Sequence, residues 1–397
     1  MQKSTTHPAD RFYRDIGDDV GRRAQRLWQI ALDLHRRPEL AFQERYAARL
    51  LTAELEGAGF AVERGAAGMD TAFVARTGTG GPPRVALLLE YDALPEIDHA
   101  CGHHLIATAG LGAGLALRTA LAGVDGTVLV VGTPAEESGG GKVIATRAGL
   151  FDGVDAALMV HPGVHDWAWA PLAASGQVRI GFHGRAAHPL GAPGEGINAL
   201  DALVDLYADV RALNRTLGPG SHVQGIVTHG GEATNVIPPY AEGLFGLRGA
   251  TTAVRDELAT DLADRARRVA RATGTRVEIS TADRGYHHFR DNPPLSGRFA
   301  GHLARAGIEL REPEPGVFLG SSDIGDVSTR VPALHPFVAI TDSGSDHTPR
   351  FAAAGAGDRA RAVMLACAEA LARTAADVLV CDGFREEIWK RWRDAPG

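Results

Sequence analysis

Apolar positions recur at helical spacing over Asp18–Arg36 and again over Glu44–Gly57, which predicts two amphipathic helices at the start of the chain. The pattern then changes to short, wholly apolar runs separated by helical stretches. Val85–Leu89 reads as a buried strand, and His103–Leu121 as an apolar, alanine-rich helix. Thr127–Val131 reads as a second strand, Gly141–Ala148 as a short helix and Ala156–Val160 as a third strand. Strands alternating with helices predict an α/β domain with a mostly parallel sheet. The middle of the chain reads differently. Gln177–His183 alternates as a strand and Asn198–Leu213 as a helix. His222–Thr228 and Glu242–Arg248 follow as strands, Thr252–Arg271 as a helix and Arg276–Ser280 as a last strand. That βαββαβ order is a ferredoxin-like unit. After it the first pattern returns and ends in a long helix, Asp358–Val378. The expected architecture is one α/β domain made of residues 1–174 and 285–397, with a second domain, 175–284, inserted into it.

Composition narrows the classes of function. With 397 residues, 45% of them hydrophobic and 22% charged, the chain is large enough for two cores and reads as globular and soluble. No apolar run reaches the length of a membrane span, and the first residues lack the apolar stretch of a signal peptide. A net charge of −7 without a dense basic stripe argues against nucleic acid as a partner. Three cysteines, Cys101, Cys367 and Cys381, are too few for a disulfide framework and suit a reducing cytoplasm.

The candidate chemistry sits where those strands end. Glu90 and Asp92 follow the first strand, and His99, Cys101, His103 and His104 come next. A cysteine flanked by histidines beyond an apolar strand points to metal binding, because thiolates and imidazoles are common zinc ligands. A plain buried thiol is the alternative reading of Cys101. Glu136 and Glu137 follow the second strand. Neighbouring carboxylates point in different directions, so one can bind a metal while the other takes a proton from water; two solvated loop glutamates are the alternative. His161 follows the third strand. Open α/β sheets collect their sites at the carboxyl ends of strands, and three arrivals at that edge outweigh any single motif. His347 and His335 compete as a downstream ligand, and spacing does not separate them.

At these residues the chain resembles the M20 family of metallopeptidases and amidohydrolases. It is most similar to the branch of aminobenzoyl-glutamate, hippurate and auxin-conjugate amidohydrolases, and within it to the subgroup of M20-domain-containing protein 2, which acts on short dipeptide-like amides. The likeness is carried by Glu90–Pro95, His99–His104, Gly132–Gly141, Met159–Pro162, Ala186–Pro189, Thr234–Pro238, Leu247–Arg248, Gly320–Pro332 and His347–Phe351, in order along nearly the whole chain. The resemblance implies a two-metal catalytic domain with an inserted lid domain that also forms a homodimer. It implies Cys101, His103, Glu137, His161 and His347 as ligands of two divalent ions, zinc or manganese, with cobalt also admitted. It implies Glu136 as general base, Asp92 as the group that orients the ligand cluster and His188 as a group polarising the scissile carbonyl. Asn235 and Arg248 would contact the substrate.

The expected function is metal-dependent hydrolysis of the amide bond of a small N-acyl amino acid or dipeptide-like molecule, with Arg248 suited to a carboxylate. A dipeptidase or aminopeptidase that requires a free amine is the alternative within enzymes. A metal-binding protein without catalysis is the alternative outside them; a general base at Glu136 argues against it, since a structural metal site has no use for one.

Overall fold

A computed structural model of the protein describes residues 9–395. These residues form two compact units. One contains the chain up to Ala170, Phe289–Glu314 and the chain from Asp326 onward; the other contains Pro171–His288 and Pro315–Gly325.

In chain order the first unit supplies α1 (Asp10–His35), α2 (Arg45–Gly57), β1 (Ala61–Arg64), β2 (Phe73–Gly78), β3 (Arg84–Leu89) and α3 (His103–Ala120). β4 (Thr127–Gly132), α4 (Gly141–Arg147), β5 (Ala156–Leu158) and β6 (His161–Gly163) follow. The second unit supplies β7 (Ala174–His183), α5 (Ala199–Asn214), β8 (His222–His229), β9 (Tyr240–Gly249), α6 (Thr252–Thr273) and β10 (Arg276–Thr281). The chain then runs through α7 (Pro293–Leu303), α8 (Ile324–Ser328), β11 (Ala333–Leu334), β12 (Phe337–Ala339), α9 (Pro349–Ala354), α10 (Asp358–Val380) and α11 (Asp382–Asp394).

The first unit is built on a six-stranded sheet in the order β1-β2-β4-β3-β5-β11. β4, β3, β5 and β11 are parallel, and β2 and β1 add an antiparallel edge. β12 and β6 form a small parallel pair. α3 is the hub of the core, with every residue from His103 to Leu117 buried. Its glycines let it fit between layers. A Cβ on Gly110 would lie 2.6 Å from Leu89 Cδ1 and 3.3 Å from Leu88 O, against the sheet. One on Gly112 would meet Leu27 of α1 at 2.9 Å and Ala368 of α10 at 3.2 Å. Small residues on both faces let α3 lie close to the sheet and to two helices. β1, at the sheet edge, and β2, between it and β4, escape the sequence reading because beyond Phe73-Val74-Ala75 they are largely exposed and so lack a long apolar run. Helix α11 was missed for a related reason: it buries only Phe384 and Ile388.

The second unit is a four-stranded antiparallel sheet in the order β10-β7-β9-β8, carrying α5 and α6. Outer residues alternate with buried ones along β9, the period-2 signature of a half-buried strand. Asn198 caps α5 by accepting from the amides of Leu200 and Asp201, and Thr251 caps α6 by accepting from Val254. The two layers close over Phe182, Leu206, Phe245 and Leu262. Among the described residues, no helix is long and apolar enough to cross a membrane.

Gly110→Ala tests the close packing of α3. The added methyl faces the backbone of β3 as well as Leu89, so overpacking should cost roughly 1–3 kcal/mol. Urea unfolding of the metal-stripped protein measures it.

Candidate metal centre

Five chain segments converge beyond the carboxyl ends of β3, β4 and β5, all within the first unit. Glu90 and Asp92 leave β3, while Cys101 and His103 lie at the entry to α3. Glu136 and Glu137 lie between β4 and α4, His161 opens β6, and His347 precedes α9. Two backbone features draw these segments together. Gly102 has φ 84°, and a Cβ there would sit 2.5 Å from Pro162 Cγ, so glycine lets the Cys101 turn lie against the His161 segment. His347 adopts φ 56° and donates its backbone N–H to Ala100 O at 2.9 Å, joining the downstream loop to the same turn.

Cys101 Sγ lies 3.5 Å from His161 Nε2. His103 Nε2 is 3.8 Å from Glu137 Oε1 and 3.9 Å from Glu136 Oε2, and Glu137 Oε1 is 3.4 Å from His347 Nε2. Cys101 with His103 and His161, Cys101 with Glu137 and His347, and His103 with Glu136 and Glu137 make three overlapping groups. Within each, one donor atom per residue lies within 4.8 Å of the others.

Asp92 organises this cluster without sharing its centre. Its Oδ1 and its backbone oxygen accept from His103 Nδ1 at 3.0 and 2.9 Å, while Oδ2 accepts the Glu137 amide at 3.0 Å. These partners place a proton on His103 Nδ1 and turn Nε2 inward. Pro162 O does the same for His161, accepting from Nδ1 at 2.7 Å. Burial works to push Asp92 up, but His103 and the Glu137 amide outweigh it and hold the carboxyl below its usual range. Burial also pushes the Cys101 thiol well up, against the pull of His103.

The residues fit a metal centre. His103 Nε2 and Glu137 Oε1 are buried and meet no hydrogen-bond partner, a costly state unless something binds them. One thiol, imidazoles and carboxylates facing one another form a donor set for zinc-like divalent ions. Ligation would also supply the positive charge that a buried thiolate needs.

His335 is placed differently. It is 1% exposed, and its ring meets His161 edge-on at 5.6 Å. Among the described residues it joins none of these donor groups. His99 and His104 pack with His35 in a separate cluster, with centroids 5.1 Å apart between His99 and His104 and 4.9 Å apart between His35 and His104. Burial lowers His99 to about 3 and holds His104 well below the usual histidine range, so both rings are neutral. His188, Asn235 and Arg248 belong to the second unit, where all three are exposed. His188 Nδ1 accepts the amides of Gly191 at 2.9 Å and Leu190 at 3.2 Å, which leaves the proton on Nε2 as an outward donor.

Residues 173–274 match the family profile described as the M20 peptidase dimerisation domain. Over 397 aligned residues, covering 96% of this chain and 92% of the relative, the protein is 34% identical to the Xaa-Arg dipeptidase of Mus musculus. The chain belongs to the M20 family. Among bacterial relatives of this M20 hydrolase, one chain of the p-aminobenzoyl-glutamate hydrolase of Escherichia coli is 36% identical over 258 residues, 60% of this chain and 53% of that protein. A dinuclear metal-binding M20 peptidase of Bacillus subtilis shares the fold, with a TM-score of 0.72 at 22% identity over 90% of this chain and 98% of the other.

Two residues of this M20 centre were missed from sequence, Glu44 and Lys142. Glu44 was read as the start of a helix. It does stand at the N-terminus of α2; in addition, its buried Oε1 accepts the amides of Phe42 and Ala135, each at 2.9 Å, and its Oε2 accepts from Thr71 Oγ1 at 2.7 Å. Phe42 and Ala135 both have φ 61°, so one carboxyl braces two left-handed turns, the second directly before Glu136. Burial pushes Glu44 up to about 7. Lys142 is wholly buried and ion-paired with Glu90. The Gly139-Gly140-Gly141 run before it gave no hint that this lysine turns inward.

Asp92→Asn should expose the bridging role of this carboxylate. An amide cannot accept from both His103 and Glu137 without turning a donor toward a donor. The change should cost about 1–3 kcal/mol in the metal-free protein, as read by urea unfolding in the presence of chelator.

Proposed function

We propose that this M20 hydrolase cleaves the amide bond of small dipeptides or N-acyl amino acids at a centre of two divalent metal ions. The observation that carries this reading is the convergence of Cys101, His103, Glu137, His161 and His347 around buried, unpartnered donor atoms, with Glu136 beside them. Those five residues would hold the ions. Thiolate and imidazole favour zinc, while the carboxylates also admit manganese or cobalt. When bound, the ions would act as Lewis acids toward the scissile carbonyl and the attacking water.

The remaining work falls to side chains. Glu136, 11% exposed and 3.9 Å from His103 Nε2, takes a proton from the water as its oxygen attacks the carbonyl carbon. As the C–N bond breaks, Glu136 passes that proton to the leaving amine. Asp92 keeps His103 and Glu137 in register throughout. His188 would donate from Nε2 to the carbonyl oxygen, where negative charge develops. Arg248 and Asn235 would hold the substrate's carboxylate and carbonyl. The mouse relative, named an Xaa-Arg dipeptidase and aligned over nearly its whole length, supports a dipeptide-like substrate, and the Escherichia coli relative, named for aminobenzoyl-glutamate, supports an N-acyl amino acid.

Homodimerisation through the inserted unit is part of this reading. The matched dimerisation segment contains the edge strand β8, where Ile226 is 56% and Val227 51% exposed, and Val204 on α5 is 54% exposed. An open strand edge bearing apolar side chains is a natural pairing surface. Cys101, Cys367 and Cys381 are buried and form no disulfide, which suits a reducing cytoplasm.

Three measurements test the reading. A hydrolysis screen over dipeptides and N-acyl amino acids should identify substrates for the wild type. Glu136→Gln should keep its metal by elemental analysis and lose on the order of 100- to 10,000-fold in kcat on them; near-normal kcat at full occupancy would remove Glu136 from the role. Mixed dimers of inactive His188→Ala and inactive Glu136→Gln protomers should recover activity if His188 serves the partner's centre. Inactive mixed dimers would confine His188 to its own chain, and normal kcat in His188→Ala alone would end its catalytic role.

A further inference from the structure

Glu90 and Lys142 are both 0% exposed and have no part in the mechanism above. Glu90 directly follows β3, and Lys142 lies in the first turn of α4. The ammonium pairs with Glu90 Oε1. That leaves Oε2, which is buried and has no hydrogen-bond partner. It stands 3.6 Å from His103 Nε2, an atom equally buried and equally without a partner. The separation is too long for a hydrogen bond. It is, however, within the span of two ligands that each sit about 2.1 Å from one ion. His103 Nδ1 is engaged by Asp92, so Nε2 is the atom this imidazole has left to offer.

We propose that Glu90 is a further metal ligand, binding through Oε2 the same ion that His103 takes, and that Lys142 holds it in place through Oε1. The proposal rests on the metal-centre reading and adds to it. Lys142 then has a specific use. A sixth ligating side chain brings an extra negative charge into a centre already crowded with Cys101, Glu136, Glu137 and Asp92. A buried ammonium offsets that charge without occupying a coordination position. It also fixes the rotamer of Glu90, so that the free oxygen stays aimed at the ion rather than swinging away. A carboxylate that served only as the counter-charge of a lysine would have no need to keep one oxygen unpartnered and directed at His103.

The test compares wild type, Glu90→Gln, Glu90→Asp and the double variant Glu90→Gln/Lys142→Met, each stripped of metal and checked for folding by circular dichroism. Zinc stoichiometry and affinity are measured by chelator competition, and cobalt(II) spectra report the ligand field. The wild type should bind two ions. Glu90→Gln should weaken one of them by about ten- to a hundred-fold or more and shift the cobalt bands. The double variant removes both buried charges together, so it does not depend on folding around an unpaired lysine. It should remain as weak as Glu90→Gln, because the ligand is missing in both. Glu90→Asp, which keeps a carboxylate, should recover part of the affinity. Wild-type affinity in the double variant would show that Glu90 serves only Lys142, and unchanged affinity in Glu90→Gln would likewise overturn the proposal. A wild type that binds no zinc would instead remove the metal centre itself, so the two failures are distinguishable.

Discussion

The site depends on one bridging carboxylate. Asp92 accepts from His103 with Oδ1 and from the Glu137 amide with Oδ2, and so ties the loop after β3 to the loop after β4. Those two strands are neighbours in the parallel sheet, in register from Arg84 against Thr127 to Leu89 against Gly132. The sheet thus delivers the two loops side by side, and Asp92 converts that rough proximity into fixed directions for an imidazole and a carboxylate. Asp92 itself is buried, and its charge is sustained by the very groups it orients. Each part of the arrangement needs the others, because hydrogen bonds in a low-dielectric interior reinforce one another.

Around this bridge the backbone is bent at several places that ordinary residues avoid. Phe42, Ala135 and His347 all take left-handed angles, and Glu96 and Asp98 in the loop after Asp92 do so too. The strain is held by specific acceptors. Glu44 takes the amides of Phe42 and Ala135, and Ala100 O takes the amide of His347. Glu39 adds to this bracing: its carboxylate accepts from Tyr46 and Ala47 at the start of α2, and its backbone oxygen accepts from Ala93. The segment between α1 and α2, remote in sequence, is therefore a support for both loops of the centre. Unusual backbone held by surrounding structure is a frequent companion of functional sites.

Much of this was legible in the chain. The apolar runs of β3, β4 and β5 and the alternation of β7 and β9 carry strong periodic signals, because burial on two faces or on one dictates them directly. The same signals placed Asp92, Glu136, Glu137 and His161 at one sheet edge. What could not be read has a physical cause in each case. β1 is an exposed edge strand, and β2 beside it is buried only over Phe73-Val74-Ala75. Spacing left His335 and His347 equal, since choosing between them needs a tertiary contact, the hydrogen bond from the His347 amide to Ala100 O. Glu44 and Lys142 look like solvated surface residues in the sequence. Only the folded interior shows that one braces two turns and the other is sealed against Glu90.

The stitch between His347 and Ala100 also bears on the history of each newly made molecule. Cys101 emerges from the ribosome about 250 residues ahead of His347, a delay of about 12–50 s at ordinary rates of synthesis. Through that interval the cysteine and His103 exist without their downstream partner, and the whole of the second unit is made in between. The centre is therefore a late product of biogenesis, closed only when the far end of the chain returns to its beginning. Until then the donor group that Cys101 shares with Glu137 and His347 is incomplete.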